Sequence, residues 1–71
     1  MKDYIDFWFV DEESGEEFFV ELECASDIPK KEAIKMLLPE ARKIAHDNFE
    51  APKLIDVVPP EVAEKLGFDT Y

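Results

Sequence analysis

The chain of 71 residues predicts a small two-layer α+β domain with the element order β-β-α-β-α, and residues 1–71 form a single domain in this interpretation. Large apolar side chains alternate with acidic ones through the first 24 residues, which is the period of a β-hairpin. Apolar residues then recur at helical spacing to about residue 49. A short apolar run and two prolines follow, which indicates a third strand before a short last helix.

The hairpin has two distinct faces because successive side chains of a strand point to opposite sides. Seven apolar residues share the face that we expect to be buried: Ile5, Phe7, Phe9, Phe18, Val20, Leu22 and Cys24. If Val10 lies opposite Glu17, the apolar residues of the two strands face one another and Trp8 lies opposite Phe19. A slip of one residue would scramble both faces, so the apolar pattern selects this register. Gly15 suits the turn.

The long helix is expected to begin near Pro29, with Ser26 or Asp27 as its cap and the proline in its first turn. Its apolar stripe consists of Ala33, Ile34, Leu37, Leu38, Ala41, Ile44, Ala45 and Phe49. Pro39 removes one backbone hydrogen bond, so either a kink or a break into two helices is expected there. The stripe stays in phase across Pro39, which favours one kinked helix packed on one face of the sheet.

A third strand is predicted over residues 53–58, and Pro59 and Pro60 end it. Pro60 also suits the first turn of a short helix over residues 61–66. Gly67 can adopt the left-handed conformation that ends such a helix.

The net charge is −10, and its distribution is uneven. Residues 1–26 hold nine acidic residues and one lysine, a net −8, whereas residues 27–49 hold four acidic and five basic residues, a net +1. Such a field repels nucleic acid and anionic membranes and favours a cationic partner. Direct nucleic-acid binding and membrane binding are therefore not expected.

Cys24 is the only cysteine, so no intramolecular disulfide can form. No apolar run reaches the length of a membrane span, and the N-terminus lacks the pattern of a signal peptide. A reducing, cytoplasmic location is the expectation from these features.

The candidate functional site is the hairpin face opposite the long helix. We predict an aromatic contact surface with a carboxylate rim, formed by Tyr4, Asp6, Trp8, Val10, Phe19, Glu21 and Glu23. Leu54 and Val58 of the third strand could extend it. The alternative is that the C-terminal segment folds over this face through Val62, Leu66, Phe68 and Tyr71.

Residues for catalysis are sparse. Asp6, Glu21 and Asp56 could share a sheet face and bind a divalent cation, but a solvated acidic face is the simpler interpretation. The acidic turn at residues 11–17 does not match a calcium loop and is expected to be solvated. Cys24 and His46 could form a nucleophile pair, although a thiol on the buried face is usually inert. We therefore expect no catalytic residue, no metal and no cofactor.

These features favour a non-enzymatic interaction module whose partner is another protein or a second copy of this chain. An alternative is an acidic decoy, whose carboxylates occupy the nucleic-acid site of a basic protein in place of phosphates. A small metal- or cysteine-dependent enzyme is the hypothesis with the weakest support.

Overall fold

A computed structural model describes residues 2–71 and confirms the α+β class and the predicted order of elements. The elements are β1 (Lys2–Asp11), β2 (Glu17–Ala25), α1 (Lys30–Asn48), β3 (Pro52–Val58), α2 (Pro60–Leu66) and β4 (Asp69–Thr70). The strand β4 was not predicted from the sequence.

The four described strands form one mixed sheet in the order β3-β1-β2-β4. β1 pairs antiparallel with both β2 and β3, so the first strand of the chain lies inside the sheet. β4 pairs parallel with the outer edge of β2. The backbone N–H of Tyr71 donates to the carbonyl of Phe19 at 2.8 Å, which ties the C-terminus to this edge.

The predicted register of the hairpin is confirmed. Val10 lies opposite Glu17 and Trp8 lies opposite Phe19. Gly15, in the turn between the strands, has a φ of 77°, and its N–H donates to the carbonyl of Asp11 at 2.7 Å. Alternation of side chains along β1 and β2 therefore assigns each residue to the face that the sequence indicated.

The main core lies between α1 and the inner face of the sheet. Its fully buried members are Ile5, Phe7, Phe9, Phe18, Val20, Ala33, Ala41 and Ala45. The sheet supplies the large side chains, whereas all the buried residues of α1 are alanines. Small residues at the contact let a helix lie close to the aromatic surface of a sheet, and larger apolar residues of α1 pack at the edges of the cluster.

The long helix begins without the predicted side-chain cap. Pro29 is the N-cap, with a ψ of 138°, and no side chain of residues 2–71 caps the helix by a hydrogen bond, so the prediction of Ser26 or Asp27 as the cap is wrong. The carbonyl of Pro29 accepts from the N–H of Ala33 at 3.0 Å, which closes the first turn. The helix continues through Pro39, which makes it one helix rather than two.

A register shift separates the two halves of the β1–β3 pairing. Trp8 lies opposite Asp56 and Phe9 lies opposite Leu54, which leaves Ile55 as an extra residue on β3. The shift turns Leu54 towards the main core, so the expectation that it extends the outer face is wrong. Val58, beyond the shift, does lie on the outer face, where it packs with Phe19.

The short helix α2 packs on the face of the sheet opposite α1. Gly67 ends it in the predicted left-handed conformation, with a φ of 72°, and its N–H donates to the carbonyl of Ala63 at 3.0 Å. The sheet and α1 are thus the predicted two layers, and α2 covers part of the second face.

Candidate functional site

The C-terminal segment covers the centre of the predicted contact surface. Ala63 of α2 and Phe68 pack over Trp8, Phe19 and Val58. The ring centroids of Trp8 and Phe19 lie 6.2 Å apart, and Phe68 completes the group at 6.1 Å from Trp8 and 5.8 Å from Phe19. These separations are typical of packed aromatic pairs, so the group is a second, smaller core.

The seven predicted contact residues therefore have different environments. Phe19 and Asp6 are buried, at 0% and 1% exposed. Trp8 and Val10 are half-buried, whereas Tyr4, Glu21 and Glu23 are exposed. They do not form one continuous exposed surface. The alternative interpretation was that the C-terminal segment folds over this face. This interpretation describes the environment of Trp8 and Phe19.

The residues that provide this cover differ from those expected. Phe68 packs on the outer face, but Val62 and Leu66 are 38% and 39% exposed. Tyr71 lies on the other side, where its ring meets those of Phe18 and Phe49 edge-on at 5.6 and 5.5 Å. The expected role of Tyr71 in covering the outer face is wrong because β4 continues along the sheet edge and carries this ring to the inner face.

Asp6 is the most unusual residue of the outer face. It lies opposite Glu21, and neither of its carboxylate oxygens has a hydrogen-bond donor among the described residues. The indole Nε1 of Trp8 likewise has no acceptor there. Burial of an unpaired carboxylate is unfavourable, so Asp6 requires a counter-charge or a proton.

Burial raises the pKa of Asp6 to about 7, and a side-chain hydrogen bond with Glu21 and the charge of Glu21 act in the same direction. Two ionised carboxylates cannot donate to one another, so this hydrogen bond forms only when a proton is bound. Near neutral pH, Asp6 and Glu21 therefore form a carboxyl pair that can hold one proton.

A cleft of about 310 Å³ lies between α2 and the outer face of the sheet, next to this pair. It is lined by Asp6, Glu21, Pro60, Ala63, Glu64, Gly67, Phe68 and Thr70. Glu21 and Glu64 are exposed, whereas Asp6 is buried. The cleft thus combines three carboxylates with an aromatic ring.

Asp11, the second buried acid, is fully engaged. Its Oδ2 accepts from the hydroxyl of Ser14 at 2.8 Å, and its Oδ1 accepts from the N–H of Ala51 at 3.0 Å. The hydrogen bond from Ser14, followed by those from backbone N–H groups, lowers the pKa of Asp11. The expectation that the whole turn is solvated is therefore wrong for Asp11, which is buried and links the turn to the loop before β3. Glu12 and Glu13 are exposed, as expected.

The residues considered for metal binding and catalysis lie as follows. Among residues 2–71, no group of three histidine, cysteine or acidic side chains is placed to hold a metal ion. Asp56 lies opposite Trp8, and its Oδ1 accepts from the N–H of Val57 at 2.8 Å. Cys24 is a half-buried free thiol beside the main core, and His46 is exposed near the end of α1.

The exposed charge differs between the layers of the molecule, since α1 carries basic residues among the acidic Glu32, Glu40 and Asp47. The basic residues of α1 are all exposed: Lys30, Lys31, Lys35, Arg42 and Lys43. Most acids of the hairpin are exposed on the sheet and its turn. In the described part of the chain, no helix combines the length and apolar character needed to cross a membrane.

Fold and site together define a small α+β protein with a four-stranded mixed sheet, a long helix on one face and a short helix over a carboxylate-lined cleft on the other. No protein-family model matches the chain, and no curated protein and no solved structure matches it.

Proposed function

We propose that this protein is a non-enzymatic interaction module that binds a basic partner protein through the acidic surface of its hairpin. The observation that supports the proposal best is the exposure of the hairpin acids. Six are exposed on the two strands and their turn: Asp3, Glu12, Glu13, Glu16, Glu21 and Glu23. An excess of exposed like charges steers an oppositely charged partner and makes its binding sensitive to salt.

The structure of the outer face favours this acidic surface over an aromatic one. Trp8 is half-buried under the C-terminal segment and Phe19 has no exposed area, so neither can anchor a partner unless α2 moves away. A second copy of this chain carries the same net charge of −10, which opposes self-association through the acidic surface. A basic protein is therefore the partner we propose.

A second candidate is that the basic partner is a nucleic-acid-binding protein and that the hairpin acts as a decoy for its ligand. Glu21 and Glu23 are exposed two residues apart on β2, which separates them by roughly 6.6 Å along the strand. This separation is comparable to that of successive phosphates in an extended nucleic-acid strand. The decoy would act where the partner is found, and the free Cys24 favours the cytoplasm.

The test is capture of partners from a cell lysate with two variants that remove the same number of charges. One carries Glu12→Gln, Glu13→Gln and Glu16→Gln at the hairpin turn, and the matched control carries Asp27→Asn, Glu40→Gln and Asp47→Asn near or on α1, all at exposed positions. We expect a basic protein that is bound by the native chain and by the control. The turn variant should bind it about tenfold more weakly, because three surface ion pairs at roughly 0.2–1 kcal/mol each approach the 1.4 kcal/mol of a tenfold change.

If the turn variant and the control lose the same amount of affinity for the partner, the effect of charge is general. This result would contradict the proposal. Binding that persists unchanged at high salt would also contradict it. For the decoy candidate, the captured protein must bind nucleic acid, and this chain must compete with that nucleic acid. Simultaneous binding of both would exclude the decoy.

A further inference from the structure

We propose that the cleft between α2 and the outer face of the sheet binds one organic cation, an alkylammonium or guanidinium group held by Asp6, Glu21 and Glu64. The inference does not depend on the proposed function, because a free amine satisfies it as well as a lysine or arginine side chain of a partner does.

The arrangement of the three carboxylates provides the first support. The buried Asp6 of β1 and the exposed Glu21 of β2 and Glu64 of α2 all line the cleft. Three carboxylates from three separate elements thus line a space of about 310 Å³. This volume is near the lower end of ligand sites, which are typically about 300–1,000 Å³, and suits a small cation rather than a large cofactor.

The state of Asp6 is the independent observation that points to a ligand. This side chain is 99% buried and lines the cleft, yet without a bound proton both of its oxygens lack a donor among the described residues, because its neighbour Glu21 is also a carboxylate. Buried acceptors in proteins are nearly always paired. An ammonium group carries three N–H donors and a positive charge, which supplies what Asp6 lacks.

The geometry favours an organic cation over a metal ion. A metal ion requires its oxygen ligands to converge at about 2.0–2.6 Å, and no three acidic, histidine or cysteine side chains in the described part of the chain do so. The N–H donors of an ammonium group bond at about 2.8 Å and point in different directions, so the carboxylates can lie farther apart. Phe68 also lines the cleft, and an aromatic ring attracts organic cations.

Binding should be coupled to the proton held near Asp6. The titratable groups that line this cleft are Asp6 of β1, Glu21 of β2 and Glu64 of α2, and the β3 residue opposite Asp6 is the uncharged Val58. A cation replaces the proton between Asp6 and Glu21, so its affinity should rise as the pH increases through the Asp6 pKa of about 7.

The experiment is calorimetric titration with three probes at constant ionic strength: n-butylammonium, methylguanidinium and a capped Gly-Lys-Gly peptide. Carbon NMR of the Asp6 and Glu21 carboxyl groups locates the binding. Each probe is titrated at about pH 8 and about pH 6, on either side of the Asp6 pKa. We expect saturable one-to-one binding that is tighter at the higher pH and shifts both carboxyl signals.

The variants Asp6→Asn, Glu21→Gln and Glu64→Gln each remove one carboxylate of the cleft. The matched control is Glu61→Gln, which removes an exposed carboxylate from the same helix but does not line this cleft. Each cleft variant should weaken binding at least about tenfold, whereas the control should bind like the native protein. Glu21 and Glu64 are exposed, so their variants test the site even if Asp6→Asn changes the packing.

Binding of the free cations indicates a small amine as the ligand, and binding of the peptide alone indicates a side chain of a partner protein. Either outcome supports the site if the cleft variants abolish it. Absence of saturable binding by all three probes overturns the inference. Binding that the cleft variants and the Glu61 control weaken equally overturns it as well, because general attraction to the acidic surface would then explain it.

Discussion

At the scale of single residues, Asp6 and Asp11 show how tertiary structure sets the properties of two identical side chains. Both lie on β1 and both are buried, at 1% and 5% exposed. Asp11 accepts hydrogen bonds from Ser14 and Ala51, which favour its charged form. Asp6 is buried opposite another carboxyl group, that of Glu21, with which it can share a hydrogen bond only when a proton is bound, and this favours its protonated form. The pKa values therefore move in opposite directions.

Substitution of Asp6 by asparagine should stabilise the protein above neutral pH. The pKa of Asp6 is raised from 3.8 to about 7 in the folded state, so the folded protein holds a proton that the unfolded chain has released between these values. The contribution of Asp6 is thus fully favourable below pH 3.8 and is lost as the pH rises through about 7. At about pH 8 we expect Asp6→Asn to raise the free energy of unfolding by about 1–3 kcal/mol, as measured by urea denaturation.

The difference between native and variant should shrink as the pH falls towards 4, because the native carboxyl is then protonated as well. Asp3→Asn is the matched control, since Asp3 is an exposed acid of the same strand. A stability difference for Asp6→Asn that is independent of pH would refute this explanation.

At the scale of secondary-structure elements, α2 and the segment that leads to β4 determine which residues of the outer face of the sheet are covered. Pro59 and Pro60 end β3 and start α2, and Gly67 ends α2 after seven residues. The chain then returns to the sheet, so Phe68 packs on Trp8 and Phe19. Without this segment, the outer face would expose its aromatic residues, as the hairpin pattern alone suggests.

Substitution of Phe68 by alanine should loosen this cover. We expect the free energy of unfolding to fall by about 2–3 kcal/mol, because the variant loses buried aromatic area and leaves a cavity beside Trp8 and Phe19. Trp8 is the only tryptophan, so its fluorescence should shift to longer wavelength as water reaches the indole.

Leu66→Ala is the control for this variant, since Leu66 lies on the same segment and is 39% exposed. It should cost clearly less and leave the emission of Trp8 unchanged. If Phe68→Ala and Leu66→Ala behave alike, Phe68 does not hold the cover in place.

At the scale of the whole molecule, the distribution of charge and the covered outer face determine how copies of the chain meet. The hairpin carries exposed acids, whereas α1 carries exposed lysines and one arginine together with three exposed acids. Of the aromatic side chains of the outer face, Phe19 is buried and Trp8 is half-buried under the C-terminal segment, whereas Tyr4 is 45% exposed. The net charge of −10 adds a general repulsion between copies.

The protein should therefore be a monomer of 8.2 kDa in solution. Size-exclusion chromatography with light scattering at low and high salt provides the measurement, since salt screens the repulsion. A dimer at both salt concentrations would contradict the expectation and would restore self-association as the function of this surface. Trp8→Ala would then show whether α2 moves aside to expose the outer face.

The sequence by itself determined the order of the predicted elements, the hairpin register and the residues that the hairpin and α1 contribute to the main core. These follow from local periodicity: one slip of register would place Phe7 and Phe9 in solvent and acids in the core, so a single pairing satisfies the pattern. The sequence also predicted Gly67 as the C-cap of α2, because the left-handed conformation that ends a short helix favours glycine.

Tertiary structure alone decided the features that concern the site. Strand β4 is two residues long and has no pattern of its own, so only its pairing with β2 defines it. The extra residue Ile55 changes the face on which Leu54 lies, and no local signal marks it. Asp6 falls on the face opposite α1, which alternation alone would leave to solvent, yet it is only 1% exposed on the face over which α2 packs. Periodicity specifies which side chains share a face of the sheet. The packing of distant segments decides which residues cover that face, and the resulting burial raises the pKa of Asp6.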